Sequence, residues 1–273
     1  MVSGRRVPFY QVDAFTDEPF GGNPAAICFM PTGLSDGLYL SIAREMNLSE
    51  TAFVEETGVG CYNLRWFTPV REVPLCGHAT LATGHALFEH RGYEGDRVEF
   101  LTMAGSLYAE RVPEGVRLDF PENKPFPVEP PSEALEALGV SEWEDVSYSD
   151  TNQKLVVLLG DEEEVREVSP DFKALLGADN PLGWRGVVVT AQGSGRYDFV
   201  SRYFAPLMGV DEDPVTGSAH TVLAPYWGEK LGKTSMWAYQ ASERGGALFV
   251  ELADGRVLIT GGCVTVVEGE LSY

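Results

Sequence analysis

Short runs of alternating or continuously apolar residues, broken by Gly, Pro or Asn, dominate the first hundred positions. Val7 to Phe15, Ala25 to Phe29, Ala52 to Glu55, Tyr62 to Phe67 and Val98 to Leu101 have the β-branched and aromatic content of strands. Two stretches carry helical spacing instead. Ser35 is placed to cap a helix ending near Met46, with Leu38, Ile42 and Ala43 on one face and Asn47 as its stop. Gly77 opens a second stretch through Ala79, Leu81, Ala82, Ala86 and Leu87 that is apolar nearly all round, the pattern of a helix wrapped by strands. The Pro-rich residues 121–131 read as a linker. Val257 to Leu271 reads as a strand with a bulge or bend at Gly261-Gly262.

The chain also repeats itself. RWFTPV at 65–70 returns as RYFAPL at 202–207, an offset of 137 residues, about half of the 273-residue length. After each copy come an acid, a proline and a glycine that opens a helical stretch: Glu72, Pro74, Gly77 and His78, then Asp213, Pro214, Gly217 and Ser218. Upstream, Asn23 to Phe29, a helix over about 36–46 and Thr51 to Val54 are echoed by Asn152 to Leu159, a helix over about 170–177 and Gly186 to Val189. Duplication of this kind implies two similarly folded α+β halves facing each other. The expected division is 1–118 and 119–262, with the final strand, about 263–273, as a candidate to complete the first half.

Composition narrows the partners more than the fold. Twenty Lys+Arg against 41 Asp+Glu give a formal charge of −21, which argues against nucleic acid and anionic membrane surfaces. With five lysines to fifteen arginines and no acidic tail, the excess reads as an acidic surface, with adaptation to high salt as an alternative. Four cysteines form no CxxC pair and four histidines no HExxH, so neither a disulfide framework nor a metal site is expected. No signal-like or membrane-spanning apolar run is present, and the expected setting is cytoplasmic.

Two enclosed helices opening on small residues would aim their N–H groups at one cleft between the halves, a site for a carboxylate-bearing small molecule. The plainer reading of Gly77 and Gly217 is a pair of tight strand-to-helix turns. Glu50 taken alone is a solvated turn residue. His78 is equally a donor to substrate or a cap for its own turn, and His85 reads as a satisfied core or edge histidine. Asp213 lies in the acidic run Asp211 to Asp213, though its place just before a helix-opening glycine favours it over its neighbours. No cofactor is expected: GSG at 193–195 precedes a strand, and TGSA at 216–219 is not a GxSxG elbow.

The segments VDAFTDEPFGGNPAAICF (12–29), AREMNLSETAFV (43–54), RWFTPVREVPLCGHATLATGHAL (65–87) and RYFAPLMGVDEDPVTGSAH (202–220) resemble the PhzF family, the phenazine-biosynthesis-like isomerases. The resemblance implies a diaminopimelate epimerase-like fold, each half a β-barrel-like sheet around a central helix, with the active site between halves, and a homodimer. It puts the family's catalytic acid/base on Glu50, its site histidine on His78, and its DxxTGS aspartate and serine on Asp213 and Ser218. A carboxylate just past a helix C-terminus and before the apolar Ala52 to Val54 has the surroundings that raise a pKa toward neutrality. Epimerases of this fold use two cysteines. Here Cys76 holds the first position but Thr216 the second, which disfavours two-thiol chemistry and makes Cys76 a small buried filler. The expectation is a cofactor-independent isomerase working by proton transfer on a small anionic metabolite. Glu50, His78 and Asp213 would be catalytic, and Gly77, Gly217 and Ser218 would bind the carboxylate. An amino-acid epimerase using Cys76 with Glu50, and a non-catalytic metabolite-binding protein, are the alternatives.

Overall fold

The computed structural model describes residues 5–273 and divides into two compact units, Met1–Asp119 with Thr260–Tyr273, and Phe120–Ile259. In the first unit β1 (Arg6–Ala14) pairs antiparallel with β2 (Asn23–Phe29), which continues through α1 (Asp36–Met46) into the parallel β3 (Glu50–Gly58). Then come β4 (Cys61–Phe67), antiparallel to β3, the two-residue β5 (Glu72–Val73) folded back on β4, and α2 (Gly77–His90). α2 returns the chain to β6 (Arg97–Thr102), parallel to β4, followed by the meander β7 (Gly105–Val112) and β8 (Gly115–Pro121).

α1 begins and ends where its chemistry dictates. Ser35 Oγ accepts from Leu38 N at 3.4 Å, and Asn47, in the left-handed region at φ 51°, returns its N–H to Ala43 O. Its buried face is Tyr39, Ile42 and Ala43, with Leu38 half-buried at the margin. Tyr39 stacks on Phe53 at 4.3 Å, and both rings meet Phe67 edge-on. α2 is enclosed, with ten of its fourteen residues buried and β1, β2, β3, β7 and the closing strand of this unit packed around it.

The second unit repeats the plan with additions. β9 (Phe126–Pro127), α3 (Ser132–Leu138) and β10 (Asp145–Ser149) lead to β11 (Lys154–Leu158). Two short helices, α4 (Glu162–Glu167) and α5 (Phe172–Gly177), connect it to the parallel β12 (Gly186–Gln192). β13 (Phe199–Ala205) runs antiparallel to β12, β14 (Val210–Glu212) folds back on β13, and α6 (Gly217–Leu231) leads to β15 (Ser235–Gln240), parallel to β13. β16 (Gly246–Ala253) and β17 (Arg256–Gly261) follow. Parallel, antiparallel, fold-back, helix, parallel: the order is that of the first unit. α6 is likewise enclosed, with eleven of fifteen residues buried.

Three expectations change. Residues 121–131 are not a free linker: Phe126 and Pro127 pair with Tyr148 and Ser147, and Asn123 docks on α6. The reason lies in α6 itself, because Pro225 has no N–H for the carbonyl four residues back, and Asn123 N takes up that Thr221 oxygen at 3.1 Å. The final segment is two strands rather than one bent strand, since the chain breaks at Gly262 and restarts as β18 (Cys263–Ser272), antiparallel to β1 in the first unit. The acid that echoes Glu72 is Glu212, not Asp213. Arg65 grips Glu72 with two bonds of 2.7 Å, and Arg202 grips Glu212 at 2.7 and 2.9 Å, each across its own fold-back. No helix among the described residues is long and apolar enough to cross a membrane.

Candidate active site

In the first unit the left-handed Asn47 ends α1 and turns the chain so that Glu50 opens β3, half-buried, with a side chain 19% exposed. His78, the second residue of α2, is 5% exposed and brings Nε2 to 3.5 Å from Glu50 Oε2. Its Nδ1 faces Cys76 Sγ at 3.6 Å. Ligand-type atoms of Glu50, Cys76 and His78 therefore fall within 4.8 Å of one another. Cys76 is the N-cap of α2, yet its side chain caps nothing, so the helix opens with Gly77 and His78 contributing N–H groups that no intrahelical carbonyl can reach.

Burial pushes the His78 pKa down to about 3, so the ring is neutral and its approach to Glu50 is a polar contact rather than an ion pair. Nε2 makes no hydrogen bond among the described residues. A buried polar atom left in that state beside a carboxylate is costly unless a ligand supplies its partner. The same geometry fits a metal poorly. Sγ lies against one ring nitrogen and the carboxylate against the other, whereas a metal takes a single nitrogen along its lone pair, leaving one of the other donors on the wrong side. Cys76 is buried as expected, but its place against His78 gives it a chemical neighbourhood that a filler would lack. The signal available was the pairing of Cys76 with Thr216 as the residues opening each central helix.

His85 donates to or accepts from Thr265 Oγ1 at 3.1 Å inside its own unit, as an edge histidine would.

In the second unit the loop before α6 is held by a directed chain of hydrogen bonds. Thr216 N donates to Gln240 Oε1 at 2.9 Å, which fixes the amide, so Gln240 Nε2 donates to Asp213 O at 2.7 Å and to Thr216 Oγ1 at 3.2 Å. The threonine hydroxyl, already accepting, gives its own proton to the Asp213 carboxylate. Asn152 Nδ2 holds Ser218 O at 2.7 Å, steadying the first turn of α6 around Gly217 and Ser218. His220 is fully buried against Phe199 with Nδ1 on Thr216 O, and burial pushes its pKa to about 4. Gln240 escaped the sequence reading, because a glutamine ending a strand 27 residues away carries no local sign of touching Asp213, and Thr216 stands out there only as the residue in place of a second cysteine.

The sequence and the fold are similar to those of known proteins. Residues 12–269 match the family model described as phenazine biosynthesis-like protein. An uncharacterized isomerase of Pseudomonas aeruginosa is 49% identical over 266 residues, covering 97% of this chain and 98% of its own. The crystal structure of a PhzF-family phenazine biosynthesis protein from Enterococcus faecalis superposes with a TM-score of 0.92 at 42% identity, covering 98% of this chain and 99% of that one. A hydroxyproline epimerase from Agrobacterium vitis shares the fold alone, with a TM-score of 0.63 at 13% identity, covering 100% of this chain and 94% of that one. With the sequence match running almost end to end and the same α+β architecture in the relative, the chain belongs to the phenazine biosynthesis-like, or PhzC-PhzF, family.

Proposed function

We propose that this chain, an isomerase like its relatives, moves a proton between carbons of a small carboxylate-bearing metabolite without a cofactor, with Glu50 as the acid/base. The observation that carries the reading is the Glu50 carboxylate 3.5 Å from a buried, neutral imidazole whose Nε2 has no hydrogen bond. A neutral His78 can donate to a substrate carbonyl or hydroxyl without neutralising the base beside it, and the open α2 terminus at Gly77 suits a carboxylate. Asp213, Gly217 and Ser218 take the corresponding role in the second unit, orienting the substrate. Glu50 would remove the proton and return it on the same face.

The test is solvent-deuterium incorporation, followed by NMR across a panel of amino, hydroxy and unsaturated carboxylic acids. Glu50→Gln keeps size and removes proton affinity, and should slow exchange by about two to four orders of magnitude. Exchange at the wild-type rate in Glu50→Gln would overturn the mechanism. A second reading, epimerisation by Cys76 with Glu50, is favoured by the Sγ contact with His78. It requires that Cys76→Ala abolish exchange and that one stereocentre be scrambled, whereas the first reading leaves most activity in that variant.

A further inference from the structure

Behind the loop that carries Asp213 lies a buried cation. Lys154, at the start of β11, is 5% exposed, while the other four lysines of the chain are exposed. Its Nζ donates to Tyr203 Oη at 3.2 Å and sits 4.5 Å from the centre of that ring. Tyr203 is itself 6% exposed and is packed so tightly against Gly186 that a Cβ there would collide with the phenol. The backbone of the same tyrosine receives Asp213 N at 3.1 Å. An ammonium removed from water needs an anion or a set of acceptors to stay charged. The groups acting on Lys154 are Asp213, which favours its charge, Arg185 at the entrance to β12, which opposes it, and the neutral Tyr203 of β13.

We propose that Lys154 is a positioning residue: a buried ammonium that serves as counter-charge to Asp213 and, with Tyr203, holds that carboxylate in register with the Thr216–Gln240 hydrogen-bond chain. The proposal rests on Asp213 as a site residue. Burial pushes the Lys154 pKa to about 8, with Asp213 holding it up and Arg185 pressing it down, so the counter-charge is present below about pH 8 and disappears above it. Loss of the proton removes the attraction on Asp213, and the strain passes through Thr216 to the first turn of α6.

With only five lysines, selective ¹⁵N and ¹³C labelling of the full chain resolves Lys154 directly. In the wild type its Nζ and Cε resonances should titrate near pH 8. The Gln240 side-chain amide and the Gly217 amide should follow with the same midpoint. Asp213→Asn, which preserves volume, should lower the Lys154 midpoint by about one unit or more. Lys154→Arg should freeze the Gln240 amide at its low-pH position, and Lys154→Met at its high-pH position, a split that a purely structural lysine would not produce. A Lys154 midpoint unmoved in Asp213→Asn, or a Gln240 amide flat from pH 6 to 10, overturns the proposal. If the titrations behave as expected while Asp213→Asn leaves deuterium exchange intact, the counter-charge stands and the site assignment of Asp213 falls. If exchange is lost and the titrations are flat, the reverse holds.

Discussion

Replacing Arg202 by Met should cost far more than the same change at Arg65, although the two arginines occupy the same place in the repeat. Arg202 has a side chain 13% exposed and makes five contacts: two to the Glu212 carboxylate at 2.7 and 2.9 Å, and three from Nη1 to carbonyls. The carbonyls are those of Val165 (3.4 Å), Arg166 (3.0 Å) and Val168 (2.6 Å), so the guanidinium also closes the C-terminal end of α4. Arg65 is 28% exposed; it lies over the Tyr39 and Phe67 rings, and the one hydrogen-bond partner it has besides Glu72 among the described residues is Asp36, whose side chain is 74% exposed and screened by water. Breaking a mostly buried pair and orphaning helix carbonyls costs about 3–4 kcal/mol, while the more solvated Arg65 set is worth about 1–2 kcal/mol. Met keeps much of the apolar stem, so the difference isolates the charged head. Urea unfolding followed by far-ultraviolet circular dichroism reads both units, and tryptophan fluorescence beside it reads mainly the second, because Trp143, Trp184, Trp227 and Trp237 lie there and only Trp66 lies in the first. Equal losses in the two variants, or a loss below about 1 kcal/mol at Arg202, would show that the guanidinium does not pin α4 and the β13–β14 fold-back as described.

Acid should destabilise the protein through its buried histidines. His78 and His220 fall to about 3 and 4 when folded, so at pH 5 the unfolded chain binds more protons, and stability present above about pH 6.5 is lost as pH falls. The loss by pH 5 is about 2 kcal/mol for each, and a His220→Asn variant should show a correspondingly flatter stability profile between pH 7 and 5; an unchanged profile would refute the linkage. Gly186→Ala should cost about 2–3 kcal/mol in thermal or urea unfolding, because its Cβ would displace Tyr203. Gly177→Ala, with no atom within 4 Å of the added Cβ, is the control and should leave stability within about 0.5 kcal/mol.

Local pattern was enough where one residue decides one event. Ser35 and Asn47 bracket α1 at the predicted ends, and the absence of a polar face on α2 announced its enclosure by strands. The duplicated plan was legible through its arginine, phenylalanine and proline, since those residues form the fold-back itself. Its acidic member was assigned wrongly because the acidic run Asp211 to Asp213 offers three candidates, and only a bidentate grip by Arg202 selects Glu212. Residues 121–131 looked like a linker from their prolines alone. What makes the segment part of the second unit is a carbonyl freed by Pro225, a hundred residues later. The Lys154–Tyr203 pair was likewise invisible, because burial of a lysine depends on which strands become neighbours and not on the residues beside it.

The closing of the first unit by β18 has a consequence for how the chain is made. Nine partners tie β1 to β18, from Arg6 opposite Ser272 to Ala14 opposite Cys263, and Arg5 and Tyr273 exchange backbone hydrogen bonds in both directions. During synthesis the residues that build Glu50, Cys76 and His78 into the sheet emerge before the second unit, yet their unit stays one strand short until β18, which follows that unit in the chain, has been translated. The second unit, contiguous from Phe120 to Ile259, has every strand it needs before that moment. β1, paired with β2 on one side, thus keeps its other edge open while the second unit is made, and only the arrival of β18 covers it.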